Sequence, residues 1–146
     1  YIFNFLKKIF LGDNGSYILA FIYGIFLIEF YSNNNYVSPF FIIAILWYPC
    51  FELLFSISRK LLTKKSPFSA DTRHLHQLLF SKILKSKIKI TDKYKNSIAG
   101  TFLNIYNFFF IHFSFTEISN SSYQITLIII NTAIYSYSYF YLIKNN

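Results

Sequence analysis

A chain of 146 residues that is 54% hydrophobic, 23% aromatic and only 14% charged, with a mean hydropathy of +0.38, is excluded as an ordinary water-soluble domain. Such a domain carries about a quarter charged residues to cover its surface, so lipid is the better solvent for this one. The net charge of +8 raises nucleic acid as a partner, but the positions of the charges decide against it. Eleven of the fourteen basic residues fall between Arg59 and Lys95, inside one stretch flanked by apolar runs long enough to span a bilayer. That stretch marks a cytoplasmic face. The single cysteine, Cys50, has no partner for an intrachain disulfide and no histidine cluster beside it for zinc, and is expected to be a packing residue. The chain has no methionine, which predicts that Tyr1 is internal to a longer protein.

Residues Tyr1 to Leu11 are interrupted by Lys7 and Lys8 and carry no small-residue cleavage pattern. They are expected to be the cytoplasmic end of an earlier span rather than a secretory signal. Four apolar runs follow, at Gly15–Tyr31, Val37–Ile57, Ile98–Phe115 and Tyr123–Ile143. At about 1.5 Å per residue each covers most or all of a hydrocarbon layer roughly 30 Å thick. The runs lack the alternating polarity of barrel strands. The predicted fold is therefore all-α, a polytopic membrane helix bundle with four transmembrane helices and a long basic cytoplasmic loop over residues 58–97.

Charge placement supports this count. The connectors at 32–36 and 116–122 hold no Lys or Arg, while Lys7, Lys8, the basic loop and Lys144 are separated by even numbers of spans. All basic segments then share one side, as the positive-inside rule requires. Tyr31, Tyr36 and Tyr123 are expected in an interfacial belt, and Tyr135, Tyr137, Tyr139 and Tyr141 are read as anchors at the last span's cytoplasmic end. The Lys and Ile alternation at Lys85–Ile90 fits a short amphipathic segment lying on anionic lipid.

Two stretches carry candidate chemistry. In Gly12-Asp13-Asn14-Gly15-Ser16, two glycines permit tight turns, and the helix that follows points its free N–H groups and positive dipole end toward the cytoplasm. Phosphate fits there, with Lys8, Asn14, Gly15 and Ser16 as candidate binding residues. Asp13 adds a hard oxygen suited to Mg2+. The same residues also suit a plain helix cap. In Ser66-Pro67-Phe68-Ser69-Ala70-Asp71-Thr72-Arg73-His74-Leu75-His76, Arg73 can grip phosphate oxygens, and His74 and His76 can donate to phosphate or move protons near neutral pH. A solvated basic loop with incidental histidines is the plainer alternative. Zinc at His74 and His76 lacks further ligands. Glu52 lies about two turns from Arg59, and an ionisable group at such depth is either functional or paired with a Lys or Arg near the membrane surface.

Taken in order, Lys8 to Ser16, Glu52 with Arg59-Lys60, Ser66-Pro67-Phe68 and His74-Leu75-His76 resemble the C-terminal half of the polyprenyl-phosphate N-acetylhexosamine-1-phosphate transferases. The resemblance is strongest to the undecaprenyl-phosphate N-acetylglucosaminyl-1-phosphate branch. It covers Lys8 to Leu79; the last two spans match only in kind. It implies a bacterial inner-membrane enzyme that moves an N-acetylhexosamine 1-phosphate from a UDP-sugar to a polyprenyl phosphate, releases UMP and initiates cell-envelope polysaccharide synthesis. It further implies Mg2+ on Asp13, catalytic roles for Asp13, His74 and His76, and Arg73 at the donor diphosphate. The chain departs from the family's usual Asp at Glu52, His at Gln77 and Arg at Thr72. The family's paired aspartates have no counterpart here, so the chain alone is expected to be inactive. The alternative is a small non-enzymatic membrane subunit or assembly factor whose basic loop docks on lipid. A transporter is disfavoured, because Pro39 and Pro49 are too few interruptions for a midplane substrate site.

Overall fold

The computed structural model describes residues 12–64, 66, 69, 71, 73–85 and 92–145. The described residues form six helices and no strand: α1 (Gly12–Asn33), α2 (Pro39–Ile45), α3 (Trp47–Leu62), α4 (Leu75–Lys85), α5 (Asp92–Thr116) and α6 (Ser121–Asn145). Three are long and apolar enough to cross a membrane, over Asn14–Asn33, Tyr94–Thr116 and Ser121–Asn145; a fourth crossing arises if the bent pair α2–α3 is one span. Phe21 and Ile28 on α1, Phe102 and Phe108 on α5, and Ile129 and Phe140 on α6 all face outward. Apolar surface on this scale is stable against acyl chains and not against water. The chain is thus a multi-pass helical membrane bundle.

The second apolar run is not one straight helix. It breaks at Leu46, and α2 and α3 meet at 72°. Pro49 supplies the reason: it has no N–H to bond the carbonyl of Ile45, and its ring crowds that carbonyl. The first helix therefore ends at Ile45, and Pro49 falls within the first turn of the next, where the missing donor costs nothing. At the other end of α2, the Ser38 hydroxyl accepts from the Phe40 N–H at 3.2 Å, and Pro39 opens the helix.

The two ends of the bundle differ in character. The connectors without basic residues meet at one end, where the Ser38 N–H bonds the Ile118 carbonyl at 2.9 Å and the Ser38 and Ser121 hydroxyls lie 2.9 Å apart. Just inside this end, buried Gln124 closes the α5–α6 hairpin. Its amide accepts from the Ser114 hydroxyl at 2.6 Å and donates to the carbonyls of Ser114 at 2.8 Å and Glu117 at 2.9 Å. At the opposite end lie Arg59 and Lys60, closing α3, and Lys144, closing α6. Lys82 reaches the Asn145 carbonyl there at 3.3 Å. Among the described residues, Arg59, Lys60, Lys82 and Lys144 thus lie at the end away from the uncharged connectors.

Three expectations are corrected. The basic stretch is not simply a loop. Its middle is α4, whose Leu75, Leu78 and Leu79 pack with Trp47, Leu103, Tyr135, Tyr139 and Leu142 in the core. The last span's tyrosines do not act alike: Tyr137 and Tyr141 are exposed, but Tyr135 and Tyr139 are each only 1% exposed, because a spacing of four residues puts both on the inward face of α6. Cys50 is exposed rather than packed. The segment expected over Lys85–Ile90 lies outside the described residues beyond Lys85, where α4 ends.

Candidate functional site at the basic end of the bundle

Three polar side chains, Glu52, Ser56 and Arg59, occur at spacings of four and three along α3 and so share one helix face. Opposite them, the chain that leads into α4 brings Asp71 and His74. Ser56 and Arg59 both donate to the same oxygen of Asp71, and its other oxygen accepts from the Arg73 N–H at 2.9 Å in an Asx turn. Burial works against the charge on Asp71. The hydrogen bonds from Ser56 and from the Arg73 backbone, with the positive charges of Arg59 and His74, outweigh it and hold the carboxyl below its usual range.

His74 sits between two carboxylates. Its Nδ1 is 3.0 Å from Glu52 Oε1, while its Nε2 lies 3.9 Å from Asp71 Oδ2, too far for a hydrogen bond. Its position is fixed by its backbone as well. His74 precedes α4, its carbonyl receives the Leu78 N–H at 3.0 Å, and its own N–H donates to Gln77 Oε1 at 3.1 Å, the reciprocal arm of a capping box. Glu52 Oε1 also accepts the Leu75 N–H at 3.0 Å, which sets a carboxylate at the positive end of the α4 dipole. Its other oxygen accepts from the Tyr135 hydroxyl at 2.7 Å. Glu52 therefore joins α3, α4 and α6.

His76, on the first turn of α4, stacks its ring on that of His74 with centroids 5.7 Å apart and planes 13° from parallel. Partial burial, and then the charge of His74, lower its pKa, with Glu52 pulling the other way. Arg73 is exposed, and its charge acts on the Tyr139 hydroxyl. Lys60 holds the connector by donating to the Ser69 carbonyl at 2.6 Å. The histidine stretch thus presents an exposed cation and two stacked imidazoles on a frame fixed by hydrogen bonds, an arrangement suited to an anionic oxygen.

The other stretch is less engaged. Gly12 opens α1 at φ +68° with open space where a Cβ would stand; this left-handed backbone favours glycine. Ser16, a candidate phosphate ligand, donates its hydroxyl to the Gly12 carbonyl at 2.9 Å, while Asn14 is exposed. Lys8 and the side chain of Asp13 lie outside the described residues. Among the described residues no hydrogen bond or ion pair joins 12–16 to 71–77. Nor does any group of three or more His, Cys, Asp or Glu side chains suit a metal ion. Both oxygens of Glu52 and of Asp71 accept hydrogen bonds from the protein.

The polar residues not foreseen are Ser56 and Tyr135, together with the Asp71 contact to Arg59. The signal for the first was available in the repeat Glu52, Ser56, Arg59 on an otherwise apolar helix. The partner on α6 had none, since Tyr135 reads like its neighbours.

Fold and site together define a multi-pass helical membrane protein with a hydrogen-bonded, cationic cluster at one end of the bundle. No protein-family profile matches the chain, and no solved structure matches it. Over 81 residues, 55% of its length, the chain is 37% identical to the undecaprenyl-phosphate alpha-N-acetylglucosaminyl 1-phosphate transferase of Thermotoga maritima. The match takes in 26% of that relative, so the chain spans about a quarter of its length. This likeness bears out the resemblance carried by the motifs, including its partial extent.

Proposed function

We propose that the chain forms the basic-face part of an enzyme that transfers an N-acetylhexosamine 1-phosphate from a UDP-sugar to a polyprenyl phosphate, with release of UMP. The single observation that carries this reading is the cluster around His74. It fixes one imidazole between two carboxylates, stacks a second beside it, and has the exposed Arg73 next in the chain. The likeness to a transferase of that class supports it. Transfer between two phosphates requires positioning and charge neutralisation more than covalent help from the protein. Arg73 and the imidazoles would bind the donor diphosphate, and the N–H groups at the start of α1, with Lys8, Asn14, Gly15 and Ser16, would hold phosphate oxygens.

Mg2+ dependence is part of the proposal, with Asp13 as the ligand; when bound, the ion would neutralise phosphate charge. The face bearing these residues is placed on the cytoplasmic side of a bacterial inner membrane, where the positive-inside rule puts Arg59, Lys60, Lys82 and Lys144. The chain alone is proposed to be inactive.

The test is transfer of label from UDP-N-acetylglucosamine to polyprenyl phosphate in membranes carrying the complete protein. Label should appear in lipid only with Mg2+, disappear in Asp13→Asn and fall by about 10²- to 10⁴-fold in His74→Ala, the range for a lost acid–base or charge-stabilising group. Transfer that survives both substitutions would defeat the assignment.

A further inference from the structure

Glu52 is the most connected side chain at this end of the bundle, and nothing in the proposed reaction uses it directly. Its two oxygens face His74 Nδ1 and the Leu75 N–H at the opening of α4 and the Tyr135 hydroxyl on α6, with the Tyr48 hydroxyl of α3 also against it. A carboxylate accepts hydrogen bonds and an imidazole nitrogen does so only when it carries no proton. The contact at 3.0 Å between Glu52 Oε1 and His74 Nδ1 therefore requires the proton to sit on Nδ1. The hydrogen bond made by one ring nitrogen decides the state of the other. With Nδ1–H committed to Glu52, Nε2 of the neutral ring keeps its lone pair.

We infer that Glu52 is the positioning residue of His74: it sets the Nδ1–H tautomer and the ring orientation, so that Nε2 is the nitrogen presented to an anionic or proton-bearing ligand. Tyr135, reaching Glu52 from α6, holds the carboxylate in place. The Leu75 N–H ties that same carboxylate to the opening of α4, so the ring and the helix that carries it are located by one group. On the far side Asp71 stands 3.9 Å from Nε2. It does not take the proton position, because its oxygens are held by Ser56, Arg59 and the Arg73 N–H. This is the relation in which a carboxylate orients a working histidine, as outer groups do for metal-bound imidazoles. The inference rests on the transferase reading only for the name of the ligand; the tautomer itself is independent of any reaction.

The test is a nitrogen-15 spectrum of the full chain in lipid nanodiscs with labelled histidine, the His74 signals being those lost in His74→Gln. In the unaltered protein, at a pH high enough for the ring to carry a single proton, the protonated-type nitrogen should be Nδ1 and the bare type Nε2. Glu52→Ala should shift His74 toward the Nε2–H form, and Glu52→Asp, which keeps the carboxylate, should retain the original pattern at least in part. Tyr135→Phe should leave the tautomer in place. A His74 ring that carries its proton on Nε2 in the unaltered protein overturns the inference even if no variant folds. So does a tautomer that is the same with and without the Glu52 side chain. Because the spectrum needs no substrate, its outcome is separate from whether sugar phosphate is transferred.

Discussion

The two candidate stretches sit in opposite physical situations. The histidine stretch is held by side chains from α3 and α6: Asp71 and Gln77 each accept from a side-chain or backbone donor there, and His74 meets the Glu52 carboxylate. The stretch at the start of α1 has one described side-chain hydrogen bond, from Ser16 back to its own helix, and α1 presents Tyr17, Ile18, Phe21 and Ile25 outward. One half of the proposed site is thus preorganised by this chain itself. The other is a helix start whose free donors suit a ligand. Preorganised groups contribute to a charged transition state without reorganising, whereas open N–H groups contribute only when something anionic meets them.

This contrast can be broken at its strongest point. Asp71→Asn removes the charge that engages Arg59, a side chain only 18% exposed, and weakens the acceptor of Ser56. Leaving such donors unsatisfied costs roughly 1–3 kcal/mol, so the connector between α3 and α4 should become open to limited proteolysis while the α5–α6 hairpin stays protected. Acid should imitate the substitution. Since the Asp71 carboxyl is held below its ordinary range, its contribution is complete above the unfolded-chain value of about 3.9. It is lost as pH falls through the lower folded value. Thermal melts should show this loss only below about pH 4, and Asp71→Asn should lack it.

The smallest effect is expected in α1. Ser16→Ala deletes an exposed bond back to Gly12, and its stability should change by no more than about 0.5 kcal/mol. A larger drop in melting would mean that the helix start is structural after all. Lower donor affinity at unchanged stability would sharpen its assignment to phosphate.

The bundle was legible in the sequence because lipid imposes long apolar helices and a one-sided charge distribution. The connectors around Ser38 and Ile118 do meet at the end away from Arg59 and Lys144. Other features were hidden for identifiable reasons. The break at Leu46 follows from Pro49, whose effect is local and easily passed over within an apolar run. Helix α4 carries apolar residues at Leu75, Leu78, Leu79 and Ile83, a helical spacing masked by the surrounding lysines. The burial of Tyr135 and Tyr139 follows from a period of four, but which face of α6 turns inward depends on α3 and α4. The sequence singled out His74 as a candidate but not its geometry, since its partner Glu52 lies 22 residues earlier.

The central claim is that the start of α1 and the His74 cluster serve one site on the same membrane face. The most direct measurement is a spin-label distance between Asn14→Cys and Arg73→Cys, both exposed positions, in nanodiscs with exposed Cys50 replaced by Ser. The account predicts a separation well under the roughly 30 Å thickness of the hydrocarbon layer. A separation equal to that thickness or greater would put the two stretches on opposite faces and contradict it.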